Sequence, residues 1–142
     1  MIVLLLAVLT VACQRQTGTV LIHTAGGTAV DVDRSDLSDF KCVGNIDGSQ
    51  EIELTDAKAW RLYDYLEGLR VDANRTVTID SMMHLVNLNF EAKWNGGDRA
   101  ELGVYFVYDS GVIGYTEGTY SDTIILYSCG ADVYGKVSDM IK

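Results

Sequence analysis

Residues 83–94 alternate between apolar and polar side chains with a period of two. Because successive side chains of a β-strand point to opposite faces, this pattern predicts a strand with one buried and one solvated face. Residues 95–98 have turn composition and predict an antiparallel return strand whose alternation continues to Tyr108. The residues predicted for the buried faces of this strand pair are Val86, Leu88, Phe90, Ala92, Trp94, Ala100, Leu102, Val104, Phe106 and Tyr108.

The rest of the chain contains further strand and turn patterns. β-Branched runs flank Gly26-Gly27, a two-residue loop that tolerates the positive φ angles of tight hairpin turns. A second hairpin is predicted around residues 45–48, where Asp-Gly again favours a reversal, and the Asp-rich stretch 31–39 is expected to be a solvated connector. The predicted strands outside the first pair are residues 19–25, 28–33, 40–43, 50–54, 112–116 and 119–127.

Residues 55–69 carry apolar side chains at helical spacing. Thr55 offers an N-cap hydroxyl, and Asp56 places negative charge at the positive end of the helix dipole. A second helix is predicted over residues 131–142, and residues 72–81 are predicted to form a polar loop. The predicted core stripe of the first helix is Ala59, Leu62, Tyr63, Leu66 and Leu69, and its predicted solvated residues are Arg61, Asp64 and Glu67.

The order of these elements predicts an α+β fold in a single domain, residues 19–142. We expect an antiparallel β-sheet of about six strands, built from hairpins and a C-terminal meander, covered by one central helix and a C-terminal helix. A curled β-barrel with a plugging helix fits the same pattern and stays open as an alternative at this level.

The first twelve residues form an uncharged apolar run that ends at Cys13. The run is shorter than the roughly 20 residues that a membrane-spanning helix needs, but it matches the hydrophobic region of an export signal. We therefore interpret residues 1–12 as a signal peptide, Cys13 as the lipidated first residue of the mature protein, and residues 13–18 as a tether. Lipid on Cys13 would hold the domain on the extracytoplasmic face of the cell membrane.

Two features depart from a standard lipoprotein signal. Thr10 stands where a lipobox has leucine, and no Lys or Arg precedes Arg15. Either the chain starts late, through a truncated or misassigned start, or the signal is weak. The alternative is a buried N-terminal strand of a cytosolic protein, which the polar residues 14–18 disfavour.

Charge and cysteine content narrow the partners and the compartment. All 11 Lys and Arg and all 20 Asp and Glu follow Cys13, so the formal net charge of −9 belongs to the predicted domain. An acidic surface repels phosphate groups, which argues against nucleic-acid partners. With Cys13 lipidated, Cys42 and Cys129 remain as a candidate disulfide in an oxidising compartment. The alternative is two unrelated small core residues.

Motifs for nucleophilic catalysis, zinc binding and phosphate binding do not occur, so the sequence predicts no catalytic residue, metal or cofactor. His23 and His84 stand alone in predicted strands and are expected to be structural. Residues 45–51 have some oxygen ligands of a calcium loop but lack its leading Asp and distal Glu, so a hairpin turn is favoured. The four aspartates of residues 31–39 suit solubility better than a cation site.

Tyrosines are concentrated in the predicted C-terminal meander. Tyr105, Tyr115 and Tyr120 are the candidates for an exposed aromatic binding face, because tyrosine combines apolar area with a hydroxyl. The alternative is ordinary cross-strand aromatic pairing.

Several segments together carry a family resemblance. They are the exported segment ending in Cys13, the N-terminal hairpin, the helical run 59–66 (Ala-Trp-Arg-Leu-Tyr-Asp-Tyr-Leu) and the stretch 114–127. This combination resembles small Gram-positive-type bacterial lipoproteins of unassigned function and covers most of the predicted mature chain. The resemblance implies an anchored extracytoplasmic domain, and it implies no substrate and no functional residue.

The sequence leaves three functions open. The favoured one is a non-catalytic binding module at the cell surface, which engages a protein, peptide or glycan through the meander face or the loop 72–81. The alternative from another class is an envelope-acting hydrolase that uses a carboxylate pair such as Asp80 and Glu91. The third is a structural envelope protein without a specific ligand.

Overall fold

The computed structural model of the protein describes residues 18–77, 84–118 and 123–142. These residues form one antiparallel sheet of nine strands with two α-helices, which confirms the predicted α+β class and gives more strands than expected. The strands are β1 (Thr19–Thr24), β2 (Ala29–Asp33), β3 (Leu37–Ile46), β4 (Gln50–Thr55), β5 (Asn74–Thr76), β6 (Leu85–Trp94), β7 (Asp98–Tyr108), β8 (Val112–Thr116) and β9 (Ile125–Ser128), and the helices are α1 (Asp56–Asp72) and α2 (Val133–Ile141).

The sheet has the strand order β4-β3-β6-β7-β8-β9-β5, and the β1–β2 hairpin joins it where β1 pairs with the start of β7. In the described part of the chain β4 and β5 lie at opposite ends of this order, so the sheet is open. Both predicted N-terminal hairpins are confirmed. The expected connector at 31–39 is wrong, because it contains the end of β2, a 3₁₀ turn at Arg34–Asp36 and the start of β3.

Strand β7 does not keep the alternation that its sequence predicts. Its pairing with β6 shifts register at Gly103, whose φ of +122° is a conformation that few other residues adopt, and Leu102 is the extra residue of the bulge. Beyond the bulge the faces exchange, so Tyr105 is 0% exposed while Val104 and Phe106 are only half-buried. A one-residue bulge therefore turns the second half of the strand over.

The two helices and the sheet share one hydrophobic core. The predicted stripe of α1 is confirmed, because Ala59, Leu62, Tyr63 and Leu66 are buried. Trp60 at the edge of the stripe stacks on Phe40 of β3, with ring centroids 3.6 Å apart. Among the described helices none is long and apolar enough to cross a bilayer.

Helix α1 begins directly at the end of β4. Thr55 is the N-cap residue, as predicted, but its hydroxyl makes no capping hydrogen bond. Asp56, the first helical residue, has a φ of +52° and a solvent-exposed side chain. The start of α1 is therefore exposed to solvent, and it borders the cleft described below.

Candidate functional site

Two of the three residues of the predicted aromatic binding face, Tyr105 and Tyr115, are not exposed. Tyr105 is fully buried under α1. Tyr115 is half-buried and packs on Tyr105, with the centroids of the two rings 5.0 Å apart. The bulge in β7 is the reason, because it directs Tyr105 into the core. Tyr120, the third predicted member, lies outside the described residues, as do the lipidation candidate Cys13 and the candidate hydrolase residue Asp80.

These two tyrosines belong instead to a polar network between α1 and the sheet. Glu67 accepts hydrogen bonds from the hydroxyls of Tyr63 (2.8 Å) and Tyr105 (2.9 Å) and from the guanidinium of Arg70 (Nε, 2.9 Å). The Arg70 guanidinium also lies 4.2 Å from the centre of the Tyr115 ring. The predicted solvated position of Glu67 is therefore wrong, because the side chain points into this network. The network joins α1 to β7 through Glu67 and to β8 through Arg70.

The buried phenols of this network give a pH dependence. Burial raises the pKa of Tyr63, Tyr105 and Tyr115, and it raises that of Tyr115 from 10.0 to about 12. Because the folded state then holds these protons more tightly than the unfolded state, their stabilisation is complete below about pH 10 and is lost as the pH rises toward 12 and beyond. For Tyr115 alone the loss is about 3 kcal/mol.

We expect phenolate absorbance and circular dichroism to show these phenols ionising together with unfolding during an alkaline titration. Tyr115→Phe removes one such phenol and should move the unfolding transition to higher pH. Ionisation of all tyrosines near pH 10 in a folded protein would contradict this assignment.

The candidate disulfide between Cys42 and Cys129 is not formed, and both residues are free thiols. Cys42 is buried in β3, whereas Cys129 follows β9. Strands β6, β7 and β8 lie between them in the sheet order, which at about 4.8 Å per strand separates the two residues by well over the roughly 7 Å that a disulfide allows. Burial raises the pKa of the Cys42 thiol to about 12, as expected for a small core residue.

The calcium-loop alternative at residues 45–51 gives way to a hairpin turn. Asn45 Oδ1 accepts a hydrogen bond from the Gly48 N–H at 3.1 Å, which closes the turn. Asp47 accepts from the backbone N–H of Leu85 at 2.8 Å and lies 3.0 Å from His84 Nδ1, so it ties the turn to the start of β6. No cluster of three or more His, Cys, Asp or Glu that could hold a metal occurs among the described residues.

A cleft of about 500 Å³ opens between β3, β6, β7 and the start of α1. Three local features shape it: a bulge in β3 at Asp39 and Phe40, the β6–β7 turn at Gly97, and the corner at Asp56. Asp39 takes a φ of +51° at the bulge and stays exposed, while the neighbouring Phe40 turns into the core. The residues that line the cleft are Asp39, Phe40, Lys41, Thr55, Asp56, Glu91, Ala92, Lys93, Gly97 and Arg99.

Charged side chains of both signs lie in this cleft and form ion pairs. Glu91 is the central acid, with the Arg99 Nη2 at 2.9 Å from one carboxylate oxygen and the Lys41 Nζ at 3.4 Å from the other. Lys93 Nζ lies 3.4 Å from Asp39 Oδ2. Glu91 is shielded, with its side chain 15% exposed, but Lys93 and Arg99 are 56% and 57% exposed. Lys93 and Arg99 are therefore paired with acids but still accessible to solvent, so they can also donate hydrogen bonds to a ligand.

Arg99 also links Glu91 to a second, more deeply buried acid. Its Nη2 lies 3.3 Å from Glu101 Oε1, and the Glu101 side chain is only 6% exposed. Glu91 and Glu101 are direct cross-strand partners, so the arginine lies between two neighbouring carboxylates. Arg99 therefore joins the two carboxylates in one ion-pair network.

Comparison of this chain with protein-family models, with curated proteins and with solved structures gives no match. The site therefore has to be interpreted from its own geometry. The sequence predicted part of the site, because the reversal after Trp94 brings Lys93 and Arg99 onto neighbouring antiparallel strands, and the structure pairs these two residues directly. The sequence did not assign Lys41 or Asp56 to a binding site. Both reach the cleft only through strand pairing and through the β4–α1 junction.

Proposed function

We propose that this protein is a membrane-anchored extracytoplasmic lipoprotein whose domain is a non-catalytic binding module, and that its ligand occupies the cleft. The cleft itself carries the proposal. Its volume of about 500 Å³ falls in the range of small-ligand sites. Its lining combines the apolar residues Phe40 and Ala92 with charged groups that can orient a ligand. The partly exposed Lys41, Lys93 and Arg99 supply donors that internal ion pairs do not use up.

Anchoring is supported by the sequence before the domain. The apolar run and Cys13 have the order of a lipoprotein signal, and the first described strand begins at Thr19. A fully extended tether of about five residues reaches roughly 20 Å, so the cleft would work close to the membrane surface. The acidic charge of the domain makes lipid, rather than a basic surface, the source of membrane attachment.

The described carboxylates favour binding over hydrolysis. A general acid must present a proton to the substrate, and a hydrolase pair needs two carboxyl groups with an open space between them. Arg99 occupies the space between Glu91 and Glu101, and Lys41 lies on the other oxygen of Glu91. Both acids therefore form ion pairs that hold Lys41 and Arg99 in place, and this arrangement leaves no open space between the two carboxylates for a substrate.

Capture experiments with native envelope extract test this proposal. The lipidated wild-type protein is expected to retain a ligand or partner, and the double variant Lys93→Ala/Arg99→Ala to lose at least about tenfold in capture, since each charged contact contributes on the order of 1 kcal/mol. Lys136→Ala is the matched control, because it removes a cation from α2 outside the cleft.

Equal capture by the double variant and the wild type would place the binding surface elsewhere. Metabolic labelling with palmitate and intact mass of the same preparations test the anchor. Wild-type protein should carry lipid and Cys13→Ser should not; an unmodified Cys13 in a bacterial host would disprove the lipoprotein assignment.

A further inference from the structure

We infer that the cleft binds a short peptide with free termini, its carboxylate held by Lys93 and Arg99 and its ammonium by Asp56. This inference rests on the proposed function, because it names the ligand class of the same cleft. It follows from three observations: a pair of cations in direct opposition, an unpaired acid facing the same space, and a balance of charge that differs from the rest of the protein.

Lys93 and Arg99 are direct cross-strand partners on β6 and β7. Like charges in directly opposite positions repel each other, and the neighbouring acids Asp39, Glu91 and Glu101 offset this repulsion in part. Each side chain is more than half exposed. Arg99 uses its Nε and Nη2 for Glu91 and Glu101, which leaves Nη1 without a partner in the described part of the chain. A carboxylate bound between the two cations would relieve their repulsion and use these donors.

The acidic side of the cleft lies at the start of α1. Asp56 is exposed, and within residues 18–77, 84–118 and 123–142 its carboxylate has no hydrogen-bond or ion-pair partner. Asp39, across the β3 bulge, is already paired with Lys93 at 3.4 Å. Asp56 is therefore the acid that remains available for an ammonium group.

The balance of charges in the cleft favours a zwitterionic ligand over a polyanionic one. The chain carries a net charge of −9, but the cleft has equal numbers of cationic and anionic lining residues. A polyanion would gain from the cations and lose as much from the acids, whereas a zwitterion can match both. A cleft of about 500 Å³ suits a peptide of about two to four residues. The cationic lining residues are Lys41, Lys93 and Arg99, and the anionic ones are Asp39, Asp56 and Glu91.

Titration of the full-length mature protein with trialanine tests this inference. Trp60 supplies a fluorescence signal, because its ring stacks on Phe40, which lines the cleft, and calorimetry supplies an independent measurement. We expect saturable binding of trialanine with free termini, and binding about tenfold weaker for both its C-terminal amide and its N-acetyl derivative, because each modification removes one charged contact.

Variants then assign each end of the peptide. Arg99→Gln should weaken trialanine binding about tenfold but leave binding of the C-terminal amide unchanged. Asp56→Asn should weaken trialanine binding and leave binding of the N-acetyl derivative unchanged. Lys136→Gln, on α2, should bind like the wild type. Unfolding curves of each variant confirm that the fold is retained.

Four outcomes would overturn the inference: no saturable binding of trialanine, equal binding of the blocked peptides, loss of binding that ignores the state of the termini, or stronger binding of polyglutamate than of trialanine. If trialanine fails while envelope capture still depends on Lys93 and Arg99, the ligand class is wrong and the binding function stands. If capture is also independent of these residues, the proposed function fails as well.

Discussion

Gly44→Ala is expected to destabilise the protein by about 4 kcal/mol or more, a large part of the stability of a typical domain. Gly44 lies in β3 opposite Leu88 of β6, and a Cβ atom at this position would overlap the backbone carbonyl oxygen of Asn87. Because the contact is with backbone, neither side can move away without breaking the β3–β6 ladder, and β6 is a central strand. Chemical denaturation of the two proteins measures the difference.

Gly68→Ala is the matched control for this change. Gly68 lies within α1, and a Cβ there meets nothing within 4 Å. Alanine has a higher helix propensity than glycine by about 1 kcal/mol, so this variant should be as stable as the wild type or slightly more stable. Similar effects for both substitutions would contradict the close approach of β3 and β6 at Gly44.

Glu67→Leu is expected to destabilise the protein by about 3 kcal/mol, because it leaves buried hydroxyls and a guanidinium without their acceptor. Tyr63, Tyr105 and Arg70 all donate to the Glu67 carboxylate. Leucine keeps most of the side-chain volume, so packing changes less than polar pairing. Chemical denaturation measures the loss, and Glu53→Leu, which alters an exposed acid of β4, is the control with little expected change.

A second substitution separates the charge from the packing. Arg70→Met in the Glu67→Leu background removes the unpaired cation, so it should recover part of the lost stability. Additive effects of the two substitutions would show that the glutamate and the arginine are not coupled across the α1–sheet interface.

Local patterns predicted the elements well where each residue's environment follows from its neighbours. The alternation in β6 correctly gave Val86, Leu88, Phe90 and Ala92 as core residues, and the helical spacing correctly gave the buried stripe of α1. The same rule failed in β7 beyond Gly103, because a bulge adds one residue to one strand only. The failure had a functional consequence, since it made the buried Tyr105 resemble a surface residue.

The sequence predicts the candidate cleft less completely than it predicts the fold. The predicted reversal after Trp94 places Lys93 and Arg99 on neighbouring strands, but their direct opposition follows from the observed pairing of Trp94 with Asp98. The sequence presents Asp39 only as one acid of a solvated connector, and Asp56 only as a favourable charge at a helix start. Asp39 and Asp56 line the same cleft because β3 has a bulge and because β4 continues directly into α1. Both features set the path of the backbone, and residue composition does not reveal them.

The sequence by itself determined the α+β class, both early hairpins, the buried face of β6 and the core stripe of α1. These depend on the period of apolar residues and on turn chemistry, which act over a few neighbouring positions. The tertiary structure alone decided that Tyr105 is buried, that Cys42 and Cys129 lie apart, and that charged residues from four elements share one cleft. Strand order and register set those relationships, and they join residues that are far apart in the chain.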